Sequence, residues 1–179
     1  MWALVENNQV SKVYQNPKAI TIGDVNYPSN IFSLWSTSEL EAIGIYIVVE
    51  DNSNLKDKEY YINTQQSFAF ADNSVTASYG TATARDLDEL KTTHKKTVDG
   101  QAYGLLQPND WLVVRNQEAG TAIPSDWTTF RTNVRSTADD MKTKIDAVTT
   151  VDALAALYVY NDADPPVRPL GEFPTPPTS

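Results

Sequence analysis

The stretch from Leu105 to Val148 decides how the rest of the chain is read: Leu105-Leu-Gln-Pro-Asn-Asp-Trp111, a short polar-apolar run to Gly120-Thr-Ala-Ile-Pro-Ser-Asp-Trp127, and then a long periodic segment. In that segment Trp127, Phe130, Val134, Ala138, Met141, Ile145 and Val148 follow one another every three or four residues, which is one apolar stripe on an amphipathic helix. Pro124 and Ser125 stand where such a helix begins, and a serine there can accept from the orphan amides of the first turn. Upstream, Asp110-Trp111 opens a shorter helix that Gly120 can end in a left-handed conformation. Each Asp-Trp step places a carboxylate at the positive end of a helix dipole. The pattern predicts a tight antiparallel helical hairpin with Trp111 and Trp127 in its core.

Working outward, Leu87, Leu90, His94, Val98, Ala102 and Leu105 share one face of a preceding helix weakened by Gly100 and Gly104, and a short helix is expected over Thr150 to Tyr160. Residues 84–160 therefore read as a small bundle of three to four helices. Six of the ten prolines lie after position 160, in Asp164-Pro-Pro-Val-Arg-Pro169 and Phe173-Pro-Thr-Pro-Pro177. Proline neither donates nor continues a helix, so residues 161–179 are expected to form an extended, mobile tail whose removal leaves folding intact. Val167, Leu170 and Phe173 are its expected anchors on a partner.

Residues 1–83 alternate with the period of strands. Asn7-Asn8 and Gly23-Asp24 are turn signals between apolar runs, Ser36 and Glu39 have capping-box spacing ahead of a short helix ended by Gly44, and Ile45-Tyr-Ile-Val-Val49 is a β-branched strand. Glu59–Ile62, Phe68, Phe70 and Val75–Tyr79 supply the remaining strands. The fold class is α+β: an antiparallel β-rich domain over 1–83, a helical bundle over 84–160 and the Pro-rich tail over 161–179.

Net charge is −9, and no region is basic: residues 1–83 carry 4 basic and 9 acidic groups and residues 84–160 carry 9 and 11. Such a surface does not displace counterions from phosphate, so nucleic acid is not an expected partner. No apolar run approaches the roughly 20 residues that span a bilayer, and no charged-then-apolar leader opens the chain, which makes a host cytoplasm the expected site of synthesis. Absence of cysteine removes disulfides and thiolate chemistry, while a lone histidine, His94, removes sites built on several imidazoles. Asp139-Asp140 and Asp86/Asp88/Glu89 sit on polar helix faces, and the Asp51–Asp57 loop lacks the glycine and final glutamate of a calcium loop. No catalytic residue, cofactor or metal is expected. Arg115, Arg131 and Arg135 are the exception to a bland surface, read either as a clamp to Glu118 across the hairpin or as a docking site for an acidic partner.

Asp110-Trp111, Arg115, Glu118, Gly120, Ile123-Pro124, Phe130-Arg131, Val134-Arg135 and Ile145, with Leu87–Lys91, Leu105-Leu106 and Val151–Leu157 around them, resemble the C-terminal module of bacteriophage tail-fibre assembly proteins and small tail-associated virion proteins of marine phages. Pro17–Ile20, Tyr27–Phe32, Leu34-Trp35-Ser36 and Glu41–Ile45 are similar to the leading domain of the same proteins. The resemblance implies a non-enzymatic virion tail component that contacts fibre or baseplate proteins, with self-association left open. Its alternatives are an assembly chaperone not retained in the particle, and a carbohydrate-binding tail protein, which exposed tryptophans would favour.

Overall fold

The computed structural model describes residues 1–178 of a mixed α+β chain, which separates into two compact units, Met1–Thr83 and a second beginning at Ala84. In the first unit, strands β1 (Trp2–Glu6), β2 (Gln9–Tyr14), β3 (Ile20–Ile22) and β4 (Val25–Tyr27) precede two short helices, α1 (Ile31–Leu34) and α2 (Thr37–Ala42). β5 (Ile45–Asp51), β6 (Tyr61–Ile62), β7 (Gln66–Ala71), β8 (Ser74–Tyr79) and β9 (Thr83–Ala84) follow. The main sheet has the order β2-β1-β5-β8-β7, and its edge strands β2 and β7 curl toward each other.

Two hairpins flank this sheet. Asn7 and Asn8 turn β1 into β2 with φ of 51° and 65°, and Asp72 and Asn73 turn β7 into β8 with φ of 48° and 57°. Short polar side chains tolerate this left-handed backbone, which matches the twist of the strands. Between the hairpins, β5 pairs antiparallel with β1 but parallel with β8, Val48 facing Val75 and Val49 facing Thr76. The expected antiparallel sheet is thus corrected to a mixed one; alternation of side chains is the same in both kinds of ladder and does not distinguish them.

β1 is buried on both faces. Leu4 joins Tyr14, Ile20, Ile31, Phe32, Leu40 and Ile45 on one side, while Ala3 joins Val48, Val75 and Ala77 on the other. The first cluster is capped by α1 and α2. Ser36 closes α2 by the anticipated capping box, its hydroxyl accepting from the Glu39 amide while the Glu39 carboxylate accepts from the Ser36 amide at 2.8 Å. The Ser36 hydroxyl also donates to that carboxylate at 2.7 Å, and this bond first, with the amide's second, favours the ionised acid and holds the Glu39 carboxyl below its ordinary range. Gly44, at φ 81°, ends the turn with its carbonyl accepting from Val5 at 2.8 Å. The single turn α1, with Ile31 and Phe32 buried, was not legible as a helix, since four residues carry too little of a period.

In the second unit α3 (Leu87–Leu106) runs through a 3-10 turn (Gln107–Asn109) into α4 (Asp110–Ala119), followed by α5 (Ser125–Ala147) and α6 (Val151–Ala156). α3 and α5 are antiparallel: Lys95 meets Asp146 at 2.7 Å, Lys142 meets Asp99 at 3.0 Å, and Arg131 reaches the Leu106 carbonyl at 3.0 Å. Their seam holds Leu90, His94, Val98 and Ala102 against Phe130, Val134, Ala138, Met141 and Ile145, with Val134 and Ile145 fully enclosed. The period of α5 accounts for that seam.

The end of the chain departs from expectation. Instead of extending freely, the segment after α6 folds back: the Asn161 amide donates to the Val167 carbonyl at 2.9 Å, and the Leu170 amide to the Leu157 carbonyl at 2.9 Å. Lys144 of α5 donates to the carbonyls of Pro169 and Leu170 at 2.8 and 3.1 Å. A proline-rich stretch has few amides to satisfy but a full set of carbonyls, so one ammonium from a neighbouring helix can fasten it. Leu170, only 3% exposed, fills the seat beneath, which corrects the freely extended tail to one that is seated on the second unit.

Candidate functional site

The three arginines separate in space and in role. Arg131 is buried, its guanidinium donating to the Asp110 carboxylate at 2.7 Å and to the Leu106 carbonyl at 3.0 Å, so it clamps α5 to the end of α3 and the start of α4. The clamp anticipated to Glu118 is therefore made to Asp110, and Arg131 is enclosed by it rather than presented at the surface. Asp110 thereby gives up the capping part expected of it; Asp126 does accept an amide, from Trp127 at 2.9 Å. Arg115 lies over the Trp111 ring at 4.7 Å, with its Nε buried and without a hydrogen-bond partner. Arg135 is exposed and folds onto the Arg131 carbonyl at 3.3 Å.

The anchors assigned to the C-terminal segment divide likewise. Leu170 is an internal anchor, Val167 is exposed, and Phe173 is half-buried in an open groove with Gln101, Gly104 and Leu105 of α3. Arg168 lies near the Tyr158 and Tyr160 rings and pairs with Glu172 at 2.8 Å, which leaves this groove with a satisfied charge pair rather than a free one. The Tyr160 hydroxyl also donates to Glu172, and that bond raises its phenol above the ordinary value.

His94 is buried in the α3 seam and packs on Tyr158 at 4.8 Å. Asp86 caps α3 by accepting from the Glu89 amide, Asp139 pairs with Lys142 at 3.1 Å, and Asp51 accepts from Ser53, which holds its carboxyl low. Among the described residues, no three His, Cys, Asp or Glu gather as metal ligands would.

Two surfaces stand out instead. On the first unit, the sheet face that α1 and α2 cover over β1 is bare further along: Ile47 and Val49 of β5 are 49% and 55% exposed. They continue across the paired strands into Thr76 of β8 and Ala69 of β7. This face carries apolar and small hydroxyl side chains in a strongly acidic chain. Sequence reasoning missed it because Ile45–Val49 reads as one apolar run, and only the placement of α1 and α2 decides which part is covered. On the second unit, α4 buries Leu112 and leaves Trp111, Val113 and Val114 exposed at 56%, 39% and 52%. Trp111 was expected inside; Leu112 takes that place, turning its neighbour about a quarter turn away. Trp127, by contrast, is half-buried against Phe130 at 5.7 Å.

Compared with family models, with curated proteins and with solved structures, the chain matches none.

Proposed function

We propose that the chain is a non-enzymatic bacteriophage tail protein, made in the host cytoplasm and retained in the virion. In this reading a β-rich domain over residues 1–83, a helical bundle over 84–160 and a Pro-rich segment over 161–179 join fibre or baseplate proteins. The observation that carries it is the bare sheet face of Ile47, Val49, Ala69 and Thr76. Isoleucine and valine exposed on an open sheet gain by being covered, and the nearest charge on that face of β5, Asp51, lies two residues beyond Val49 at the end of the strand. The resemblance in Asp110–Ile145 and Pro17–Ile45 supplies the viral context.

Quantitative mass spectrometry of purified particles tests the reading. Peptides of this chain in a fixed integer ratio to tail proteins support a building block; abundance in infected cells with none in mature particles makes it an assembly chaperone. Val49→Asp, which charges the bare face, is expected to abolish incorporation while leaving the circular dichroism of the isolated protein unchanged. A carbohydrate-binding tail protein is the second reading, favoured by exposed Trp111; loss of glycan-array binding on Trp111→Ala would support it.

A further inference from the structure

α4 holds a cation without a counter-charge in a chain rich in acids. With 23 acidic side chains against 14 basic ones, a base has partners to choose from: Lys95 takes Asp146, Lys142 takes Asp99 and Asp139, Arg131 takes Asp110 and Arg168 takes Glu172. Arg115 takes none. Glu118 stands three residues on along the same helix, a spacing at which ion pairs form, yet among the described residues Arg115 makes neither an ion pair nor a hydrogen bond. Its side chain runs back toward the start of α4, as long helical side chains do, and the guanidinium lies over the Trp111 ring at 4.7 Å. Nε is the one buried side-chain nitrogen or oxygen among the described residues without a partner, whereas Nη1 and Nη2 are neither bonded nor buried. A rotamer aimed at Glu118 would gain an ion pair; the one adopted leaves a buried donor unmet, so the indole rather than an acid sets where the fork points. Beside it, Trp111 is 56% exposed and Val114, one turn on, is 52% exposed.

We propose that Trp111, Val114 and Arg115 dock an acidic, apolar segment of another protein: one Asp or Glu is received end-on by Nη1 and Nη2 of Arg115, and an aliphatic or aromatic neighbour of that acid lies on Trp111 and Val114. The two parallel N–H donors of the fork match the two oxygens of a carboxylate. Charge selects the same occupant. Asp110, the acid beside Trp111 in sequence, is already neutralised by Arg131 at 2.7 Å, and Glu118 follows Arg115 on the side away from the ring, so the incoming acid meets an uncompensated cation. The contact with the indole holds the fork in place before the partner arrives, so little side-chain freedom is lost on binding. Tryptophan and arginine are also the residue types that carry most of the energy of protein interfaces. A sugar site is concave with polar groups converging on it, whereas a single helix that sets a valine beside the ring is convex and apolar, which favours a protein segment. This inference does not rest on the tail-protein reading, and it lies on the other unit from the bare sheet face.

An array of short synthetic peptides tests it, each with Leu, Ile or Tyr around one central Glu, Gln or Lys. The full chain has no cysteine, so it is labelled through Ser136→Cys, an exposed position on α5. Glu peptides should bind at least about tenfold better than their Gln and Lys counterparts, with a preference that shrinks as salt rises. Arg115→Gln and Trp111→Ala should each weaken that binding by about tenfold or more with the circular dichroism unchanged. Arg135→Gln, which removes an exposed arginine from α5, should leave it unaltered. Equal binding of Glu and Gln peptides, binding of none, or an equal loss in Arg135→Gln overturns the proposal. So does a gain of more than about tenfold in Glu118→Gln, which would show Glu118 holding the fork in solution. A glucuronate oligosaccharide that binds through Trp111 and Arg115 where no peptide does overturns it in favour of a carbohydrate site, and self-association abolished by Arg115→Gln overturns it in favour of a second copy. Each of these outcomes leaves the virion reading to be decided by the content of purified particles.

Discussion

Leu170→Ala is the substitution that asks whether the C-terminal segment belongs to the fold of the second unit. Leu170 is 3% exposed; its amide donates to Leu157 at 2.9 Å, and its carbonyl accepts from Lys144 at 3.1 Å. Truncating a buried leucine removes its transfer free energy and leaves a cavity, together about 2.7–5 kcal/mol; a seat under a loop-like segment relaxes, which puts the cost near the lower end, about 3 kcal/mol. For a segment that detaches while α3 and α5 stay folded, the loss of global stability stops at the docking free energy. The sensitive assay is therefore hydrogen exchange by mass spectrometry over peptides spanning 157–172. A loss of about 3 kcal/mol corresponds to roughly 150-fold faster exchange of the Leu170 amide. Unprotected exchange of that amide in the wild type, or acceleration of less than about threefold in the variant, refutes docking of the segment.

Arg131→Met should cost about 2–3 kcal/mol in urea unfolding, since it removes a buried guanidinium from a carbonyl and a carboxylate, whereas Asp110→Asn, at the exposed end of the same pair, should cost less than about 1 kcal/mol. Gly44→Ala should lower stability by about 2 kcal/mol or more, because φ is +81° and the new Cβ would lie 2.9 Å from the Val5 carbonyl oxygen; Gly120→Ala, at φ +67° in open space, should cost about 1 kcal/mol, and thermal melts compare them. The Glu39 carboxyl should titrate below its ordinary range by NMR, so its contribution to α2 is present above the unfolded pKa and fades as pH falls through the lowered folded one. Ser36→Ala should move that titration back toward the ordinary range.

What could be read without coordinates was whatever short-range physics dictates. Asn7-Asn8 forces a left-handed turn, Ser36 and Glu39 close a box with each other, and the spacing from Trp127 to Ile145 aligns one face of α5 whatever it packs against. What could not be read depended on distant partners. The parallel register of β5 on β8 has the same alternation as an antiparallel one. Arg131 chose Asp110 over Glu118 because the 3-10 turn brings the start of α4 to α5. Of the residues singled out for binding, Arg115, Arg135, Val167 and Phe173 retain exposure or line an open groove, while Arg131 and Leu170 are enclosed by contacts that lie 21 and 26 residues away along the chain. The Ile47–Val49 face carried no sequence signal, since coverage of a sheet is a property of what packs above it.

The parallel ladder in the middle of the first unit has a consequence in time. Both hairpins close over two-residue turns, and such local structures form in about 1–10 μs. Neither can acquire its share of the two cores until β5 aligns Trp2–Leu4 with Ile45–Ile47 on one side and Val75–Ser78 with Val48–Asp51 on the other. Arrival of that one strand, distant in sequence from both hairpin edges so that closure entropy must be met first, is expected to set the pace at which the sheet assembles. Until then the two hairpins are separate ribbons, each with one edge waiting for the same neighbour.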